Sequence, residues 1–151
     1  MRFLLNPRKY RDEADVQEFS TGLRDPARQE FIAATEKGRL LGWVTFAETS
    51  SELFIDYLRR LPGVPRGLGR RLLLEVAREA RRRGKECITL FPPLDELCAY
   101  YKGLGFSPVI DSELQEELDS GNLSMESIEG GSGLAVWSLP VGKKEGGKEE
   151  D

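Results

Sequence analysis

Residues 53–73 read Leu53-Phe54-Ile55-Asp56-Tyr57-Leu58-Arg59-Arg60-Leu61-Pro62-Gly63-Val64-Pro65-Arg66-Gly67-Leu68-Gly69-Arg70-Arg71-Leu72-Leu73, and the pattern that opens at Leu68 runs on to Arg83 and Gly84. An apolar run, a glycine-containing turn and an amphipathic stretch in that order predict a strand, a tight turn and a helix. Leu68, Leu72, Leu73, Val76, Ala77 and Ala80 fall on one helical stripe, and Gly84 is a fitting stop. A helix N-terminus gathers backbone N–H groups that have no helical partner, together with the positive end of the macrodipole. Gly67 and Gly69 carry no side chain to fend off a ligand, and Arg66, Arg70 and Arg71 stand at the same end. The stretch suits a phosphate or pyrophosphate. Nowhere else in the chain does local chemistry point to a ligand class.

Outward from this centre, Met1 to Leu5 reads as a first strand and Asp12 to Leu23 as a helix, with a short helical turn after Asp25-Pro26. Phe31 to Thr35 and Leu40 to Ala47 are strands joined at Lys37-Gly38, a hairpin over 30–48, and Glu52 to Leu58 continues the meander. Beyond the central helix come a strand over Glu86 to Phe91, ended by Pro92-Pro93, and a helix over Asp95 to Leu104. A strand over Phe106 to Ile110 follows, then a helix opened by a Ser112/Gln115 capping box. Gly130-Gly131-Ser132-Gly133 reads as a flexible turn before a last strand over Leu134 to Leu139, and 142–151 as a disordered charged tail after a domain over 1–141. The expected fold is α/β (α+β), a single mixed, mostly antiparallel central sheet flanked by helices, with a β-α-β crossover at its centre.

The 151 residues hold 39% hydrophobic and 32% charged residues, a soluble globular balance, and a net charge of −4 argues against a general polyanion binder. Ten basic residues lie between Arg59 and Lys85. Arg78 and Arg81 to Arg83 read as the solvated back and last turn of a helix, and neither nucleic acid nor membrane is an expected partner. With no histidine, His-dependent catalysis and His-ligated zinc are excluded, and no metal is expected. Cys87 and Cys98 form no C-x-x-C and read as buried thiols. Without an apolar span or a signal-peptide layout, the expected location is cytoplasmic.

Two segments resemble a known family. Arg66-Gly67-Leu68-Gly69-Arg70-Arg71-Leu72-Leu73 is similar to the acetyl-CoA pyrophosphate loop of the GCN5-related N-acetyltransferases, the GNAT superfamily. Tyr100-Tyr101-Lys102-Gly103-Leu104-Gly105-Phe106 resembles its second signature, a tyrosine followed by Gly-Phe. The resemblance covers roughly residues 1–139 and implies a GNAT-like acyl-CoA N-acyltransferase fold. It implies acetyl transfer from acetyl-CoA to a primary amine, small-molecule or peptide, by direct attack in a ternary complex. The amides of Arg66, Gly67, Leu68, Gly69 and Arg70 would grip the pyrophosphate, with the side chains of Arg66, Arg70 or Arg71 adding charge-assisted bonds. A main-chain N–H near Leu58 to Arg60 would polarise the thioester oxygen, and Tyr101 would give a proton to the leaving sulfur.

A carboxylate on the central strands would take the proton of the amine. Glu52 and Asp56 sit at even spacing on one strand, so both are expected on one face, and Glu48 ends the preceding strand. Two positions depart from the family: Val64, before Pro65, stands where Gln or Arg is usual, and Leu94 where Asn is frequent. These departures support an alternative, a catalytically weak or inactive module that binds acyl-CoA or a protein partner. Residues 111–131 hold seven acids and no base, which reads as a solubilising helix or as an acidic lip for a cationic amine. The exposed last strand could pair two subunits into a homodimer.

Overall fold

Strand-forming sequence fills the first half of the chain. In the computed structural model, which describes residues 1–14, 16, 29–90, 95–130 and 133–142, that half is an antiparallel meander. Strand β1 (Arg2–Leu5) pairs with β2 (Glu30–Glu36), β2 with β3 (Arg39–Glu48), and β3 with β4 (Glu52–Arg60). The hairpin expected over 30–48 turns at Lys37 and Gly38, whose φ angles of 53° and 78° are those of a two-residue primed turn. Helix α1 (Leu68–Arg82) follows and packs on β2, β3 and β4 through Leu68, Leu72, Leu73, Val76 and Ala80, all 2% exposed or less. Each such leucine contributes about 1.5–3 kcal/mol by leaving water. A second cluster, Tyr10, Ala14, Phe31, Ala33, Leu40 and Trp43, is joined by Leu4, Val16 and Leu61.

Strand β5 (Cys87–Leu90) comes next in the chain, then α2 (Cys98–Gly103), β6 (Ser107–Pro108), α3 (Ser112–Ser120), α4 (Met125–Glu129) and β7 (Trp137–Pro140). The strand order is β1-β2-β3-β4-β5-β7-β6, the single mixed, mostly antiparallel sheet with helices that the sequence led us to expect. Two compact units are distinguished along the chain. One runs from Met1 to Ile88 and includes the residues from Val141 on; the other is Thr89–Pro140. The second unit has its own cluster of Leu114, Ile128 and Ala135, with Ile110, Leu118 and Leu123 packed on it, and an antiparallel β6–β7 ladder.

Several boundaries differ from expectation for local reasons. The strand over 106–110 contracts to Ser107–Pro108: the Phe106 N–H turns back to the Tyr101 carbonyl at 3.0 Å, while beyond Pro108 a single bond from the Val109 N–H to the Val136 carbonyl, 2.8 Å, follows. The strand over 134–139 shifts to Trp137–Pro140. The helix over 95–104 divides into a 3-10 turn, Asp95–Leu97, and α2. The capping box at Ser112 and Gln115 does not form. The cap lies one residue earlier, where extended Asp111 accepts the Leu114 N–H at 2.9 Å, and Gln115 donates to Asp119 at 2.9 Å instead. Cys98 is buried and Cys87 half-buried. Of the helix expected over 12–23, residue 15 and residues 17–23 lie outside the described residues. So do the turn after Pro26, Pro92-Pro93, Leu94, the middle of the 130–133 turn and all of the tail beyond 142. Among the described residues no helix is long and apolar enough to cross a membrane.

Candidate functional site

β4 ends at Arg60, and the Leu61 N–H still donates to the Leu41 carbonyl at 2.9 Å, so the turn leaves the sheet from a fixed point. Pro62 and Gly63 reverse the chain, Val64 is half-buried, and Gly67 is the residue from which α1 starts. Gly67 has φ 88°, a left-handed conformation that costs a residue with a side chain about 1–2 kcal/mol. A Cβ at Gly67 would meet nothing within 4 Å, so the space over the turn is open and the glycine is required by its backbone angle. The first intrahelical bond runs from the Arg71 N–H to the Gly67 carbonyl, 3.1 Å. The N–H groups of Leu68, Gly69 and Arg70 therefore precede the helical ladder, and no side chain caps them. No acid occurs between Asp56 and Glu75 to oppose an anion there.

What holds this helix start against the sheet is Gly42 on β3, a residue the motif reading passed over. A Cβ there would lie 2.6 Å from the Arg59 carbonyl oxygen, 3.0 Å from Leu68 Cδ2 and 3.3 Å from Arg60 Cα. The missing side chain lets Leu68 settle on the ends of β3 and β4. The signal was present: a lone glycine inside the apolar run Leu40 to Phe46 marks close approach. The three arginines are unlike one another. Arg66 and Arg70 are exposed, whereas Arg71 is laid over the Phe3 ring, 5.1 Å from its centroid, with one nitrogen 3.5 Å from Met1 Sδ.

The carboxylates separate as well. Glu52 starts β4, where its N–H donates to Thr49 Oγ1 at 3.1 Å, about 26 Å along the strand from Arg60. Asp56 is about half as far from the turn. Strict alternation does not carry from one to the other: Phe46 pairs with Ile55 and Thr45 with Tyr57, leaving Asp56 as the extra residue of a bulge. Asp56 is half-buried, and its Oδ2 accepts a 2.9 Å hydrogen bond from Gln29 Nε2.

Glu48 is committed elsewhere. It pairs with Lys85 at 2.7 Å and with Arg83 at 2.8 Å, and the Lys85 hydrogen bond is the chief cause of a carboxyl held below its usual range. Arg83 is not the solvated cation expected of a helix back. It also binds Glu30 at 2.9 Å and Glu79 at 2.7 Å, with its guanidinium 5.7 Å from the Phe46 ring. Burial is the largest influence on Glu79 and pushes its carboxyl up, but bonds from Arg82 and Arg83 together outweigh it and leave the group below its ordinary value.

Within the second unit, Tyr101 on α2 is half-buried, edge-on to Tyr100 at 5.3 Å and to Phe106 at 5.6 Å. Burial, and then the neighbouring Tyr100, raises its phenol above the usual value near 10, so it stays protonated at neutral pH. Leu58 is half-buried and pairs with Val44; Arg60 is exposed and pairs with Gly42.

The model of the acetyltransferase (GNAT) family matches residues 2–106, and the chain belongs to that family. The family uses acetyl-CoA. Among solved structures, Tetrahymena GCN5 aligns over 94% of this chain and 97% of its own, with a TM-score of 0.63 and 12% identity. A GNAT-family acetyltransferase of Staphylococcus aureus Mu50 aligns over 93% and 99%, with a TM-score of 0.59 and 12% identity. The PaiA N-acetyltransferase of Thermoplasma acidophilum, solved with coenzyme A, aligns over 75% of this chain with a TM-score of 0.51 and 15% identity. The PaiA alignment spans 61% of that protein, and one to a putative GNAT acetyltransferase of Desulfovibrio desulfuricans spans 57%, both under two thirds of the relative's length. At these identities the likeness is one of fold. A search of curated sequences returns no match.

Proposed function

We propose that the protein is an acyl-CoA-dependent N-acetyltransferase that moves an acetyl group to a primary amine by direct attack in a ternary complex. The observation that carries this reading is the left-handed Gly67 at the uncapped start of α1, inside the stretch matched by the family. Open space above the turn, three N–H groups ahead of the helical ladder and no nearby acid suit a pyrophosphate. Bound there, acetyl-CoA supplies an activated acetyl thioester.

The rest falls to this chain. The amides from Arg66 to Arg70 hold the phosphates, with Arg66 and Arg70 adding charge. Arg71 joins them only by leaving Phe3. A main-chain N–H between Leu58 and Arg60 donates to the thioester oxygen, and Val64 lines the turn beneath. The Asp56 carboxylate takes the proton of the incoming ammonium; Glu52, at the far end of β4, is the weaker choice. Tyr101, protonated across the physiological range, holds a proton at its phenolic oxygen for a leaving thiolate, whose acid is stronger than a phenol by about 1.5 units.

Calorimetric titration with acetyl-CoA tests the binding half: saturable heat supports it, and none at millimolar coenzyme refutes it. Thiol release across a panel of primary amines tests the transfer. Tyr101→Phe is expected to lower kcat about 10²-fold with little change in the KM for acetyl-CoA. Binding without amine-dependent thiol release would instead identify a non-catalytic module.

A further inference from the structure

A short 3-10 turn, Arg8–Tyr10, is tied to the first hairpin at two points. Asn6, just past β1, donates its N–H to the Phe31 carbonyl at 2.8 Å and accepts the Phe31 N–H on Oδ1 at 2.9 Å. The buried Tyr10 donates its hydroxyl to the Gly38 carbonyl at 2.8 Å. Beside these ties lies a cavity of about 450 Å³, a size typical of small-molecule sites. Leu4, Pro7 and Tyr10 give it an apolar lining, and its charged residues, Arg2, Arg8, Lys9 and Lys37, are all cations. The four are exposed, and none forms an ion pair among the described residues. We propose that this cavity binds a small organic anion of two or more charges, a phosphate ester or a polycarboxylate.

The cations come from β1, the 3-10 turn and the hairpin, so they are not merely the solvated face of one element. Like charges gathered around a concavity repel one another and focus their field on an anion. Lys37 is the most telling of them. At φ 53° it holds a left-handed turn position that asparagine, aspartate or glycine fills with less strain. Its neighbour Glu36 pairs with the Met1 amine at 3.7 Å. Cations over an apolar lining suit an ionic head on a carbon body better than a bare inorganic ion. A concave site of this volume suits a small molecule better than a nucleic-acid strand. The cavity shares no residue with the turn before α1 and lies at β1, three strand spacings or about 14 Å from β4. Arg2 and Leu4 alternate with Phe3, over which Arg71 of α1 is laid, so the cavity is on the other face of the strand.

The test is calorimetry on the full chain at 0.1 M salt, where charges beyond about 10 Å are screened. The probes are phenyl phosphate and citrate, with benzoate as the singly charged comparison. Saturable binding of phenyl phosphate or citrate, at least tenfold tighter than benzoate, is expected, and the tighter of the two names the head group. Arg8→Gln and Lys37→Asn should each weaken it about tenfold. Lys37→Asn suits the turn better than the parent residue, so its melting temperature should hold or rise, which separates lost binding from lost folding. Arg78→Gln, a change to an exposed cation of α1 outside the cavity, and Gly67→Ala should both leave the affinity within twofold. Binding that Gly67→Ala removes and Lys37→Asn spares belongs to the helix start and overturns the inference. Equal losses in Arg78→Gln and Lys37→Asn, or no saturation by either probe at millimolar concentration, overturn it as well. So does retention of a single-stranded oligonucleotide through Lys37 when neither small probe binds.

Discussion

Arg83 closes the helix α1 onto the meander, and its removal is the perturbation that tests the packing most sharply. Its side chain is 18% exposed and reaches Glu30 on β2, Glu48 on β3 and Glu79 on its own helix. Arg83→Ala leaves three carboxylates around one emptied position, of which Glu79 is 10% exposed at its side chain. Breaking a buried pair costs about 3–5 kcal/mol. The lower end applies here, because Glu48 at 41% exposure is screened by solvent. For a chain of this length about 3 kcal/mol lowers the melting temperature by roughly 6–12 °C.

The pH dependence carries a sign that a simple packing loss would not. Glu48 and Glu79 sit below their ordinary value in the folded protein, so their contribution is present above the unfolded carboxylate range and is lost as pH falls through the folded one. Without Arg83, burial remains the leading influence on Glu79 and is opposed by Arg82 alone, so acid weakens the variant less than it weakens the parent. Thermal melts at pH 7, 5.5 and 4 should show the gap between parent and Arg83→Ala shrinking to less than half. Arg83→Lys should fall between them, since one ammonium cannot serve three carboxylates in fixed directions. A gap under 2 °C at pH 7, or one that does not narrow with acid, refutes the reasoning.

Gly67→Ala and Gly38→Ala both place a side chain at positive φ and should each lose about 1–2 kcal/mol in urea denaturation. Only Gly67→Ala should weaken acetyl-CoA binding, by tenfold or more in calorimetry, because only Gly67 begins the turn proposed to bind the pyrophosphate; equal affinities would remove the turn from the site. Gly42→Ala forces a Cβ to within 2.6 Å of a backbone oxygen and should cost about 1–3 kcal/mol, read as a lower urea midpoint with an unchanged slope. Asp111→Ala removes the cap of α3 and should cost about 1 kcal/mol, seen as faster amide exchange at Leu114 while amides of β2 and β3 keep their protection.

The features legible in the sequence are those whose cause is local. The stripe of α1 follows from a 3.6-residue period, the Lys37-Gly38 hairpin from turn chemistry, and the left-handed start of α1 from a glycine placed just ahead of an apolar stripe. The features missed are set by a partner element. Nothing within Leu53 to Leu58 marks a bulge; it is created by where Thr45 and Phe46 fall on the neighbouring strand, and with it goes the face on which Asp56 stands. Glu79 and Arg83 look like solvent charges when α1 is read alone and become a buried clamp only once Glu30 and Glu48 arrive from two other strands.

The candidate site divides along the same line. The part proposed to hold the anion, a turn and a helix start, is written in consecutive residues. The carboxylate proposed as its proton acceptor, Asp56, stands at a register shift and accepts a hydrogen bond from Gln29, 27 positions away in sequence. A family signature therefore locates the coenzyme end of such a site more readily than the carboxylate that completes it. Variants that alter strand register, more than variants of the glycine turn, are the ones expected to separate acetyl-CoA binding from acetyl transfer.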